Sequence, residues 1–410
     1  MLSIASLRHA FRALRHRNFQ LFWVGQGTSV IGTWMQTTAQ SWLIYRLSHS
    51  ALVLGLLAVM RFGPALVVAP LAGHAADRWP RRPMVLLTQS ASLVLATILA
   101  VLTLTGRIGV ATLLVLALFQ GSVDSLDMTV RQTFQMDLVG PEDLQSAVSL
   151  NSAAFNSARM VGPFLAGIVI ARLGEGLCFA LNAASYLAVL VTLLLIRVPP
   201  GAGSGTGAGS VLEAVVTGMR YSWGNPAIRR VMVAIAMTSA VGLASNTLTP
   251  ALARDVLGTD SQGYGRLLAG AGVGAILGAL LAAAASTSRH AFGVNALVLV
   301  VMGLSLVGLG LARSLPMATL FMTLVGAMAA VQLTTSNTFL QTTAPLELRG
   351  RVVSMYVWLF QGAAPIGGFA VGWMAHHAGI PRTILASGSA CLVAGVGLAS
   401  ALPRRRAPQG

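Results

Sequence analysis

Asp124, Asp127 and Arg131 stand three and four residues apart in a stretch that is otherwise mostly apolar. On a helix that spacing places all three on one face. Ionisable side chains inside so apolar a run are costly, and they mark ion paths, proton relays or ligand sites. Asp127 and Arg131 are within pairing distance of each other near one end of the run. Asp124 lies deeper, where burial favours the protonated carboxyl unless an arginine holds it ionised. Two arginines, Arg61 and Arg159, stand at similar depth in other apolar runs. Asp124 therefore reads in two ways, as a proton carrier or as half of a buried ion pair that only packs the protein. Two fixed cations against one carboxylate leave a positive site suited to an anionic or catecholate ligand. The same arginines can instead be satisfied by helix-end carbonyls or by Asp124, without touching a ligand.

A second pattern runs through the first apolar stretch. Gln26, Ser29, Thr33, Gln36, Thr37 and Gln40 recur every three or four residues and draw one polar stripe along a helix. In lipid such a stripe must face protein or a water-filled cavity. The amides and hydroxyls suit a permissive cavity lining, and hydrogen bonding between helices is the alternative. The later part of the chain has little buried charge. Its polar candidates are Asn246, Gln332, Asn337, Gln341 and Gln361, with Trp358 and Phe360 as aromatic neighbours.

These residues need long helices to hold them, and the composition demands the same. Of 410 residues 55% are hydrophobic and 9% charged, with a mean hydropathy of +0.75. Soluble domains carry nearer a quarter of charged residues. Apolar runs fall at about 19–45, 51–73, 84–105, 109–131, 147–171 and 176–196, then 229–251, 264–285, 291–312, 316–340, 352–374 and 381–402. Each reaches or approaches the roughly 20 residues that cross a bilayer. Between the sixth and seventh lies a Gly/Ser-rich linker, 199–210, and an amphipathic segment precedes each set of six. The sets echo each other: Gly140-Pro141 recurs as Ala344-Pro345, and Gly162-Pro163 as Ala364-Pro365, at offsets of 204 and 202 residues. An internal repeat of this kind places a ligand site between the two halves.

All 27 basic residues are arginines, and the net charge is +16. The lack of lysine excludes a Walker-type nucleotide loop, a Schiff-base pigment and pyridoxal chemistry, each of which needs one. With the N-terminus cytoplasmic, 18 arginines fall on the cytoplasmic side and 6 on the far side, with Arg61, Arg159 and Arg266 inside spans. That bias places both termini in the cytoplasm and explains the charge without nucleic acid. Cys178 and Cys391 lie in apolar runs and fit neither a disulfide framework nor a metal site.

The loop after the second run reads Gly73-His74-Ala75-Ala76-Asp77-Arg78-Trp79-Pro80-Arg81-Arg82. It resembles the loop signature of the major facilitator superfamily, Gly-x-x-x-Asp-Arg-x-Gly-Arg-Arg, with Pro80 in place of a glycine. The segments 17–23, 127–131 and 348–352 look like the bacterial branch that holds siderophore and macrolide exporters. The resemblance runs from about Asn18 to Pro403. It implies a cytoplasmic latch between the halves, built from Gly73, Asp77, Arg78, Arg81 and Arg82 with Asp127 and Arg131. The matching loop of the second half, around Arg289, has no acid. Gly162, Pro163 and Gly167 resemble the antiporter motif of the fifth span, in which proline bends the helix and small residues admit a close neighbour. Exporters of related branches carry an acid in the first span, and this chain has none.

The expectation is an all-α membrane protein of twelve transmembrane helices, with halves 1–197 and 229–410 and a cytoplasmic linker 198–228. Its function is proton-coupled export of an amphiphilic small molecule, without cofactor, metal or nucleic acid, by a monomer in the bacterial inner membrane. Lipid transport by the same fold is the alternative. A membrane-embedded enzyme is disfavoured: Asp124-x-x-Asp127 has no second acidic cluster, and the His-Glu-x-x-His zinc signature is absent.

Overall fold

A computed structural model describes residues 11–68, 79–196, 211–284 and 291–400. Gly73, Asp77, Arg78, Arg289 and the linker stretch 199–210 lie outside them. Among the described residues the chain is helical, without strands. Ten stretches are long and apolar enough to cross a membrane by length and composition. Two further crossings complete the set. The continuous run Val110–Leu173 divides at Gly140, whose φ of 71° and ψ of 175° break the helix ahead of Pro141. The first helix, Arg17–Ser48, is long enough but carries the polar stripe.

The twelve helices are α1 (Arg17–Ser48), α2 (Ala51–Val68), α3 (Arg81–Leu104), α4 (110–139), α5 (141–173), α6 (Glu175–Leu195), α7 (Pro226–Val256), α8 (Ser261–Ala284), α9 (Ala291–Leu311), α10 (Leu315–Thr343), α11 (Leu346–Ala378) and α12 (Ile380–Ser400). A linker helix, Val211–Gly224, precedes α7. The twelve-helix fold expected from the sequence is the one the chain adopts. The repeat reappears in the turns: Gly174 joins α5 to α6 at φ 83°, and Gly379 joins α11 to α12 at φ 86°, 205 positions later. A one-residue turn in that region of backbone space suits a residue without Cβ.

Two elements depart from the expected pattern. Helix α4 continues well past the expected end at 131, because Phe134, Leu138 and Val139 bury against Phe19, Phe22 and Met84 in a cluster at the terminal end of the first half. Helix α7 is not uniform. After Pro226–Met237 it loosens to a π turn at Thr238–Leu243, tightens to 3-10 at Ala244–Leu248 and loosens again at Leu252–Val256. Pro250 is one physical cause, since it has no N–H for the carbonyl of Asn246. The Thr249 hydroxyl donates to that carbonyl instead, at 2.7 Å.

The halves meet through two helix pairs, α2 with α11 and α5 with α8. Both contacts are lined by glycine. A Cβ on Gly55 would lie 2.9 Å from the Gly368 carbonyl, and one on Gly167 would lie 2.7 Å from the Ser261 carbonyl. The buried apolar clusters divide by level. At the end away from the termini, two clusters cross between halves: Ala51 and Trp42 join the second half's cluster, and Ala251 and Ile380 join the first half's. At the terminal end each described cluster stays within its own half.

Candidate functional site

Between the halves lies a cavity of about 230 Å³. The first half contributes Trp34, Thr37, Thr38, Gln40 and Ser41 from α1, Arg61 and Phe62 from α2, and Arg159 and Pro163 from α5. The second half contributes Leu243, Ala244, Asn246 and Thr247 from the irregular part of α7, and Tyr264, Leu268 and Ala271 from α8. The 3-10 turn of α7 is thus the segment that presents Asn246 and Thr247, and departures from regular helix often mark functional positions.

Arg61 is buried, and its Nη1 lies 2.6 Å from Asp124 Oδ2. Helix α4 comes close enough for this because Gly121, one turn earlier, sits directly against the Arg61 carbonyl. A side chain there would push α4 off α2. The second oxygen of Asp124 accepts from Gln120 Nε2 at 2.8 Å, and the same amide donates to Ser92 Oγ at 3.1 Å. The Asp124 side chain is 35% exposed. Asp127, by contrast, is buried and saturated. It accepts from Thr88 Oγ1 at 2.7 Å and Gln89 Nε2 at 2.8 Å, and pairs with Arg131 at 3.1 Å. Three donors thus converge on this one carboxylate. Asp124 is the more exposed carboxylate of the two.

Arg159 projects from α5 into the cavity. Its guanidinium lies 5.8 Å from the centre of the Trp34 ring, and the backbone of Trp34 is brought near by Gly162, which packs against it. Pro163 lines the cavity beside it, and Gly167 sits at the α5–α8 contact.

The polar stripe of α1 divides between two faces. Thr37 and Gln40 line the cavity. Gln36 accepts from Asn182 Nδ2 of α6 at 2.8 Å, and the Thr33 hydroxyl meets the Tyr186 hydroxyl of α6 at 3.3 Å. Gln26 and Ser29 are buried and outside the cavity wall. In the second half, Asn246 lines the cavity, and Asn337 and Gln361 do not. Asn337 accepts from Gln341, while Gln332 is fully buried with both ends of its amide unpaired among the described residues. The aromatic walls are Trp34, Phe62 and Tyr264, in place of Trp358 and Phe360.

Of the expected latch residues that are described, none bridges the halves through a described partner. Arg81 pairs with Asp137 at the end of α4 at 2.7 Å, and Arg82 donates to the carbonyls of Leu193 and Leu194 at the end of α6. Cations at a helix C-terminus satisfy its open carbonyls and its dipole. The cross-half bonds lie at the opposite end. The Tyr45 hydroxyl donates to Asp255, Trp42 stacks on Tyr264 at 5.6 Å, and Ser261 Oγ donates to the Gly167 carbonyl at 3.2 Å. None of Asp137, Tyr45 or Asp255 stood out in the sequence. The available signal was position alone: an acid or a tyrosine at the end of an apolar run.

The whole chain also matches known proteins. Residues 8–408 match the family model described as transmembrane secretion effector. The chain belongs to this family of the major facilitator superfamily. A relative, the multidrug efflux pump Tap of Mycolicibacterium fortuitum, is 30% identical over 92% of this chain and 94% of its own length. The staphyloferrin A transporter of Staphylococcus aureus is 24% identical over 86% and 88%. Among solved structures, nucleoside transporter NupG superposes with a TM-score of 0.74 at 12% identity, covering 94% of this chain and 98% of that one, a likeness of fold. The chain is thus a multi-pass membrane transporter of the major facilitator type.

Proposed function

We propose that this protein is a proton-coupled exporter of amphiphilic small molecules in the bacterial cytoplasmic membrane, with both termini in the cytoplasm. The observation that carries the reading is the cavity between the halves, walled by both and backed by the Arg61–Asp124 pair. The cross-half bonds at the end away from the termini fit a state closed to the outside, with the cavity reached from the cytoplasm. Alternating access then rocks the halves about the cavity.

Asp124 carries the proton. Protonation removes the counter-charge of Arg61 and loosens the tie between α4 and α2. Helix α2 also makes the glycine-lined contact with α11 that closes the far side. Proton load therefore acts on the helix that both halves share as a contact, and a ligand with different affinity for the two states shifts the same equilibrium. The walls supply apolar surface with scattered hydroxyls and amides, which suits amphiphiles. No nucleic acid, cofactor or catalytic role enters this reading, and the working unit is the monomer.

The test is growth of an efflux-deficient bacterium expressing the protein on toxic amphiphiles, macrolides and siderophores, beside an Asp124→Asn variant and a proton uncoupler. Resistance of at least fourfold that both controls abolish is expected. Resistance that survives the uncoupler contradicts proton coupling, and resistance that survives only the variant moves the carrier away from Asp124.

A further inference from the structure

Arg61 has its counter-ion in Asp124, and Arg159 has none among the described residues. Among the described residues no carboxylate lies within 4 Å of Arg159, no hydrogen bond reaches it, and its contact is the face of Trp34. A guanidinium set in a largely apolar wall without an anion is an expensive arrangement. A ring at 5.8 Å offsets part of that cost by cation–π attraction and leaves the N–H fork unused. An arginine fork matches a carboxylate in geometry and charge, and such charge-assisted bonds strengthen where water is scarce. Around it the wall is Leu54, Leu57, Phe62 and Pro163, with Tyr264 and Leu268 across in the other half.

Resting on the exporter reading, we infer that Arg159 and Trp34 form the recognition point for an organic anion, so that the preferred substrates carry one carboxylate or similar oxyanion on an aromatic or apolar body. The substrate brings the counter-ion that no described residue supplies: its anion takes the fork of Arg159, its ring lies on Trp34 or Tyr264, and the apolar wall receives the rest. Neutral amphiphiles of the same shape gain the wall and lose the ion pair. Cationic ones meet an unshielded positive charge.

Three probes of one shape separate these outcomes: 2-naphthoate, its neutral amide 2-naphthamide, and 2-naphthylmethylammonium. Their binding to the purified full-length protein in detergent is measured by titration calorimetry, with empty micelles as the blank. The naphthoate is expected to bind at least tenfold tighter than either of the others. Arg159→Gln should bring the three within about twofold, and Arg159→Lys should keep part of the preference. Equal binding of the three by the unaltered protein overturns the assignment without any variant, and so does a preference that Arg159→Gln leaves intact. Efflux by whole cells is scored separately. Export of neutral amphiphiles with no naphthoate preference defeats the anion site alone, whereas a naphthoate preference in a protein that exports nothing defeats the exporter reading alone.

Discussion

Single side chains divide the charges of the first half into tied and responsive ones. Asp127 is tied: three donors from α3 and α4 converge on it, and its side chain is 7% exposed. Asp127→Ala strands Gln89 and Arg131 at once and leaves the Thr88 hydroxyl with the Val85 carbonyl alone. Removing one partner of a buried pair costs about 3–5 kcal/mol. The thermal midpoint in detergent should fall by several degrees, and a midpoint within one degree of the unaltered protein would show that the network contributes little. The roles of these charges were partly legible beforehand. Spacing of three and four residues gave the Asp127–Arg131 pair because both partners share one helix. Asp124 was recognisable as the partner of an arginine because ionisable groups are so few within spans, but the sequence left Arg61 and Arg159 equally open, and the structure gives Arg61. Arg81 with Asp137, and Tyr45 with Asp255, were not, since each joins positions whose nearness depends on how separate helices cross.

At the level of elements, the small residues decide which helices touch. The contacts of α2 with α11 and of α5 with α8 are closest where glycine faces backbone. Overpacking such a contact costs about 1–3 kcal/mol and displaces the helices. Gly167→Val should therefore lower the thermal midpoint and cut efflux at least tenfold. Gly397→Ala on α12, where an added Cβ meets nothing within 4 Å, should leave both unchanged. Equal behaviour of the two variants would mean that the α5–α8 contact does not carry the closed state. The polar stripe of α1 shows what periodicity leaves undecided. Residues at spacings of three and four spread over neighbouring faces of a helix that turns about 100° per residue. Thr37 and Gln40 took the cavity face while Thr33 and Gln36 took the face toward α6. Nothing in the stripe itself states which neighbour each edge will meet. The irregular middle of α7 was likewise hidden, because Gly242 and Pro250 within an apolar run fit a plain span as well as a broken one.

On the scale of the whole molecule, hydropathy was enough to give twelve helices, and the internal repeat gave the expectation of a site between two sets of six. They could not give the state of the machine, because both states share one sequence pattern and differ only in which cross-half contacts are made. The described hydrogen bonds and ring stacking across the halves gather at the end away from the termini, and the cavity is walled by both halves. In the proposed mechanism, proton occupancy of Asp124 governs the switch of these halves. Spin labels read it directly, on cysteines at Arg107 and Arg313 for the far end and at Glu142 and Leu346 for the terminal end, with Cys178 and Cys391 replaced by alanine. All four label positions are exposed. In proteoliposomes moved from alkaline to acidic buffer, the far-end distance should lengthen and the terminal-end distance should shorten. Asp124→Asn, which mimics the protonated carboxyl, should show the acidic distances already in alkaline buffer. Distances that ignore pH, or that move in the same sense at both ends, would contradict the account.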